Sequence, residues 1–183
     1  MRQTTIADID TANSTILMRV DFNVPMCDGT ITNDRRIKAA LPTINMALNK
    51  GAKLVLMSHL GRPKGAGFEP VFSLAPVATR LSDLLGIPVA LGPSSVIGPE
   101  LDAAVEEMKS GDVLLLENLR FNSAETIIDK AKDSPGSRLT AAQEHLRDSF
   151  AEAIAQHGDI YVNDAFGTSH RAHVSMRTVP ELI

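Results

Sequence analysis

Arginine recurs where apolar runs of this chain end. The runs are Leu17-Met18-Arg19-Val20-Asp21-Phe22-Asn23, Val55-Leu56-Met57-Ser58-His59-Leu60-Gly61-Arg62, Leu114-Leu115-Leu116-Glu117-Asn118-Leu119-Arg120, and Tyr161-Val162-Asn163-Asp164 leading to His170-Arg171. Arg36 opens the periodic segment after the first run. Guanidinium grips carboxylate or phosphate with two hydrogen bonds at once. Each such contact to a desolvated anion contributes about 1.5–3 kcal/mol. A small molecule carrying a carboxylate and a phosphate suits Arg19, Arg36, Arg62, Arg120 and Arg171, with His59 and His170 beside them. Asp21 and Asn23 could accept from a substrate hydroxyl or hold the arginines by ion pairing. Any one of these arginines alone reads more simply as a solvated surface residue. The same choice at four strand ends argues for a shared anion site.

Such a site needs strands whose carboxyl ends lie on one edge, where open α/β sheets bind ligands. Short apolar runs at 15–20, 53–58, 87–91, 113–117 and 160–163 read as buried strands. Between them lie helical patterns. Ile37, Leu41, Ile44 and Leu48 recur at helical spacing after a cap at Thr32 or Asn33, and Gly51 follows. Pro42 should kink that helix or follow an irregular first turn. Ser73 caps a helix carrying Leu74, Val77, Leu81, Leu84 and Leu85, closed by Gly86. Residues 99–109 carry Leu101, Val105 and Met108. Thr140 caps a helix with Leu146, Phe150, Ala153, Ile154 and His157 on its core face. Residues 121–139, containing Asp133-Ser134-Pro135-Gly136, read as an exposed polar insertion. The alternation predicts a three-layer, Rossmann-like α/β fold with a parallel, doubly wound sheet. It forms one domain over residues 1–183.

Composition narrows the function. The chain has 183 residues, 44% apolar and 4% aromatic, so its core should be aliphatic. Lys+Arg number 18 against Asp+Glu 22, a net charge of −4. That balance disfavours nucleic acid as a partner. Cys27 is the sole cysteine. It allows no internal disulfide and reads as a bystander in a surface turn. No secretory h-region and no apolar run long enough to span a membrane occur, so a cytoplasmic protein is expected. His170-x-x-His173 has metal-like spacing but lacks a third ligand, and no metal site is expected. The glycine-rich Gly61–Gly67 loop lacks the Gly-Lys-Ser/Thr ending of a P-loop. No G-x-G-x-x-G follows the first strand, and no G-x-S-x-G elbow exists.

Four segments together resemble the N-terminal domain of the phosphoglycerate kinase family. They are Arg19-Val20-Asp21-Phe22-Asn23-Val24-Pro25, Ser58-His59-Leu60-Gly61-Arg62-Pro63, Glu117-Asn118-Leu119-Arg120-Phe121, and Asn163-Asp164-Ala165-Phe166-Gly167-Thr168-Ser169-His170-Arg171-Ala172-His173. Arg36-Ile37-Lys38-Ala39-Ala40 fits as well. The similarity covers roughly residues 5 to 176 and departs from the family pattern after Met176.

The resemblance implies a substrate-binding domain for 3-phosphoglycerate or 1,3-bisphosphoglycerate. It implies Asp21 and Asn23 at the glycerate hydroxyl or carboxylate end. His59, Arg62, Arg120 and Arg171 would hold the non-transferred phosphate. Arg36 would be catalytic, facing the acyl phosphate. Arg19, His170 and Gly61 are further candidates. Family members are about twice this length. A C-terminal domain holding ADP or ATP with Mg²⁺ is therefore expected to be missing here, with no cofactor on this domain and little turnover by this monomeric chain alone. The alternatives are a non-catalytic anion-binding or regulatory module, and a nucleotide-binding Rossmann domain, for which no loop is visible.

Overall fold

Thr15–Val20 forms strand β1, and all of its residues are buried. A strand covered on both faces reads as a continuous apolar run, which is why it stands out in the sequence. In this computed structural model, which describes residues 4–132 and 138–183, β1 leads into a small antiparallel ribbon, β2 (Met26–Cys27) and β3 (Thr30–Ile31). Asp28 and Gly29 turn it with positive φ of 48° and 75°, the backbone a two-residue hairpin needs. Cys27 is exposed there.

The remaining elements alternate. Helix α1 (Arg35–Asn49) is followed by β4 (Lys53–Met57), α2 (Ala75–Leu85) and β5 (Val89–Leu91). Next come α3 (Pro99–Glu106), β6 (Val113–Leu115), α4 (Ile127–Lys132) and α5 (Ala141–Ala155). Strand β7 (Ile160–Asp164), the short α6 (Val174–Arg177) and a 3-10 turn at Val179–Glu181 follow. No helix among the described residues is long and apolar enough to cross a membrane.

The five long-range strands order as β5-β6-β4-β1-β7, and every neighbouring pair is parallel. Arg19 lies in register with Met57 on one side and Asn163 on the other. The expected doubly wound sheet is therefore present. Alternation along the strands divides the core in two. Ile16, Met18, Val20, Leu54 and Leu56 pack against Ile37, Ile44, Val77 and Leu81 of α1 and α2. Leu17, Val55, Met57 and Leu114 pack on the other face with Leu101, Phe150 and Ile154. Helices on both faces satisfy strands that have no polar side.

Helix boundaries follow local chemistry. Thr140 accepts from Gln143 N while Gln143 reaches back, a complete capping box. Gly86 closes α2 with φ of 70°. Ser73 accepts from Ala75 N at 3.1 Å, but a buried carboxylate completes that cap. Glu117 accepts from Leu74 N at 2.7 Å, Ser73 Oγ at 2.6 Å and Asn118 N at 2.8 Å.

Pro42 lies inside α1, which is helical on both sides of it, so the regular helix does not begin there. Two expectations are corrected. Leu146 is 41% exposed; the core face of α5 is Phe150, Ala151 and Ile154. Most important, the segment after residue 121 is no exposed insertion. It forms 3-10 turns at Leu119–Phe121 and Ser123–Thr126 and then α4, with Ala124 and Glu125 fully buried. Its polar side chains turn inward to hydrogen-bond the protein, Glu125 with Ser175 and Asp129 with Ala172 N. Asp133-Ser134-Pro135-Gly136 lies outside the described residues.

Candidate functional site: an anion cavity at the strand ends

The carboxyl ends of β1 and β4 are tied by Ser58. Its hydroxyl donates to Val20 O at 3.0 Å and accepts from Phe22 N at 2.9 Å. That tie brings the loop after β1 beside the loop after β4. Asn23 Oδ1 then accepts from Gly61 N at 2.9 Å, which leaves the Asn23 amide hydrogens for a ligand. Gly61 itself turns with φ of 59°, a left-handed backbone that suits glycine. Its carbonyl accepts from Arg120 Nη1 at 2.7 Å.

These loops enclose a cavity of about 460 Å³. Asn23, Arg36, His59, Gly61, Arg62, Arg120, His170 and Arg171 all line it. The expected cluster is thus brought together from four strand ends and the start of α1. Asp21 does not line the cavity. It holds Arg36, with Oδ2 2.6 Å from Nη1.

Among the arginines, Arg19 is the exception and a correction. It is fully buried and does not line the cavity. Its donors are used inside the protein. Nε donates to Ser175 Oγ at 3.0 Å, Nη1 to the carbonyls of Val20 and Met57, and Nη2 to His59 Nδ1 at 3.0 Å. Its position inside β1, two residues before the strand-end loop, places it beneath the site.

Sequence reasoning missed the opposite wall. Thr126, Asp129 and Lys130 from the 3-10 turn and α4 line the cavity, as do Gly167, Thr168 and His173. Asp129 Oδ1 accepts from Ala172 N at 2.8 Å, and Oδ2 stands 3.8 Å from Arg171 Nη1 and 3.4 Å from His173 Nε2. His173 is almost fully buried and forms an edge-on pair with His59, ring centroids 5.9 Å apart. The one sequence signal was the His170-x-x-His173 spacing. Among the described residues, no group of three His, Cys, Asp or Glu is arranged to hold a metal.

The electrostatics follow from burial among cations. Burial first, then Arg19 and Arg120, push the His59 pKa down to about 2. Burial, Arg120 and Arg19 push His173 down to about 4. Both rings are neutral at pH 7. Burial also depresses Arg120, and neighbouring arginines add to it, but arginine stays protonated. The cavity therefore presents fixed guanidinium charge plus neutral imidazole, a setting for a multiply charged anion.

A family model of phosphoglycerate kinase matches residues 6–183. The chain belongs to the phosphoglycerate kinase family. It is 50% identical to phosphoglycerate kinase from Akkermansia muciniphila over 179 residues, which is 98% of this chain and 40% of that protein. It is 47% identical to phosphoglycerate kinase 1 of Notamacropus eugenii over 96% of this chain and 41% of that one. Among solved structures, phosphoglycerate kinase of Coxiella burnetii superposes with a TM-score of 0.75 at 37% identity. It covers 94% of this chain and 38% of the Coxiella chain. The Pyrococcus horikoshii OT3 enzyme also gives 0.75, at 32% identity. The chain thus spans about 40% of the length of its phosphoglycerate kinase relatives.

Proposed function

We propose that this chain is the 3-phosphoglycerate-binding half of a phosphoglycerate kinase. One observation carries the reading: Arg36, Arg62, Arg120 and Arg171 converge on a single cavity at the sheet's carboxyl edge. The reaction read here moves a phosphoryl group from the acyl phosphate of 1,3-bisphosphoglycerate to ADP. The acyl–phosphate bond breaks, a bond to the ADP terminal oxygen forms, and 3-phosphoglycerate and ATP result. Such transfer needs positioning and charge neutralisation more than covalent catalysis. No side chain here has to act as a nucleophile.

In this reading Arg62, Arg120, Arg171 and the His59 imidazole hold the non-transferred phosphate, with His170 and Gly61 at its margin. The Asn23 amide meets the glycerate hydroxyl or carboxylate. Asp21 orients Arg36, whose side chain is half exposed. Arg36 meets the phosphoryl group in transit and neutralises its charge. ADP or ATP arrives with Mg²⁺ on a second domain, and closure of the two expels water and aligns donor with acceptor. The net charge of −4 disfavours nucleic acid and anionic membrane surfaces as partners. A cytoplasmic monomer suits the reading.

Calorimetry tests it. The chain should prefer 3-phosphoglycerate over sulfate and over unrelated phosphorylated acids. It should form little or no ATP alone in a coupled assay, and substantial ATP formation would refute the need for a second half. A non-catalytic anion-binding module is the second reading, since a cavity lined by guanidinium and imidazole groups suits anions generally. Indifference among anions would select it.

A further inference from the structure

Beneath the cavity lies a carboxylate that does not line it. Glu125 is fully buried, on the 3-10 turn before α4. Its Oε2 accepts from Ser175 N at 2.9 Å, and its Oε1 accepts from Ser175 Oγ at 2.6 Å. Having donated its only hydroxyl proton to Glu125, Ser175 Oγ accepts from Arg19 Nε at 3.0 Å. Arg19 then donates from Nη2 to His59 Nδ1 at 3.0 Å. Guanidinium has no acceptor, so His59 Nδ1 must be unprotonated and its proton sits on Nε2. The donor-only guanidinium sets the direction of the last bond, and Glu125, acting through Ser175, holds that guanidinium against His59.

A second arm runs from the same carboxylate. Glu125 Oε1 is 3.6 Å from His173 Nδ1. That nitrogen is buried and has no hydrogen-bond partner within normal reach. On the ring's other side, Arg120 Nη2 is 3.3 Å from His173 Nε2. Nε2 stands between Arg120, which can only donate, and Asp129 Oδ2 at 3.4 Å, which can only accept. The Glu125 carboxylate on the ring's other side draws the proton to Nδ1, so Nε2 accepts from Arg120. Arg120 is one of the cavity's cations.

We propose that Glu125 is a positioning residue for both cavity histidines: through Ser175 it holds Arg19, whose donor-only guanidinium fixes Nε2–H on His59, and directly it draws the His173 proton to Nδ1. His59 then offers its Nε2–H as a donor to a bound anion. His173 Nε2 stays an acceptor that holds the Arg120 guanidinium in the cavity wall. One buried carboxylate thereby prepares both a neutral donor and a cation for the same phosphate. The inference rests on the anion-site reading above and adds the origin of the site's proton arrangement.

The test is long-range nitrogen–proton NMR on histidine-labelled chain at pH 7, with inorganic phosphate and 3-phosphoglycerate as probes. The wild type should show Nε2–H on His59 and Nδ1–H on His173. In Ser175→Ala the His59 signature should change while His173 keeps its own. In Glu125→Gln the amide can donate, so His173 should shift toward Nε2–H. Phosphate affinity should fall about tenfold, the weight of one charge-assisted hydrogen bond. A wild type with the reverse tautomers, or both signatures unchanged in both variants, would overturn the proposal. If Glu125→Gln does not fold, as read by circular dichroism, the wild type and Ser175→Ala still decide it. Equal affinity for phosphate and 3-phosphoglycerate would count against the substrate reading alone, because the tautomers are read separately.

Discussion

Gly167 presses on Asp21. A methyl group at Gly167 would stand 2.6 Å from Asp21 Oδ2, the same oxygen that holds Arg36 Nη1 at 2.6 Å. Gly167 belongs to the cavity wall and Asp21 to the loop after β1, so the space a missing side chain leaves is what lets the ion pair form. Gly167→Ala should displace the carboxylate and release Arg36. Because the pair is partly exposed, stability should change by no more than about 1 kcal/mol. In a chain joined to a nucleotide-binding half, kcat should fall more than 3-phosphoglycerate affinity.

Arg36→Ala in the same joined enzyme should lower turnover by at least about a hundredfold, the scale of removing one transition-state donor. Its effect on 3-phosphoglycerate affinity, measured by calorimetry, should be several-fold at most. Equal loss of both would assign Arg36 to ground-state binding.

Asp129 places a carboxylate among the cavity's cations, 3.8 Å from Arg171. An incoming phosphate meets that negative charge. Asp129→Asn keeps an oxygen for Ala172 N and removes the charge. Phosphate and 3-phosphoglycerate affinity should rise by about two- to fivefold, in line with a partly exposed pair of up to about 1 kcal/mol. A titration that shows weaker binding would mean the carboxylate chiefly orients Arg171.

Acid should destabilise the fold through His173. Its pKa is about 4 in the folded chain, against an ordinary histidine value of 6.5. Between those values the unfolded chain takes up the proton and the folded chain does not, so stability falls as pH drops from about 6.5 to 4. Burial raises the Glu125 pKa. That contribution has the opposite sign, growing as pH falls toward 4.5. Urea unfolding across this range should show a shallower acid limb for His173→Asn than for the wild type, with Glu125 intact in both.

Glu117 closes three donors at the start of α2. Glu117→Ala strands Leu74 N and Asn118 N in the interior. It should cost about 2–4 kcal/mol in denaturant unfolding, the sum of a lost cap and an unsatisfied buried donor. Because Asn118 Nδ2 also donates to Leu60 O at 2.7 Å, the loop bearing Arg62 should loosen with it.

Much of this protein is written locally. Buried parallel strands announce themselves as apolar runs, as Thr15–Val20 does, and helix ends as capping boxes or glycines, as at Thr140 and Gly86. Those signals are short-range, so the doubly wound fold and the arginines at the strand ends could be read from residue order. What a side chain does after the backbone delivers it depends on neighbours distant in sequence. Arg19 carries the same motif signature as Arg62, yet contacts with Ser175, 156 residues away, turn it inward to support His59. The stretch around Glu125 and Asp129 looks solvated because it is polar. Only the packing of its 3-10 turn beneath α6 and beside His173 makes it a wall of the cavity. Composition and order determined which charges the site would have. Tertiary contact decided which of them face a ligand and which are buried to hold the others, because desolvation and hydrogen-bond direction exist only once distant segments meet.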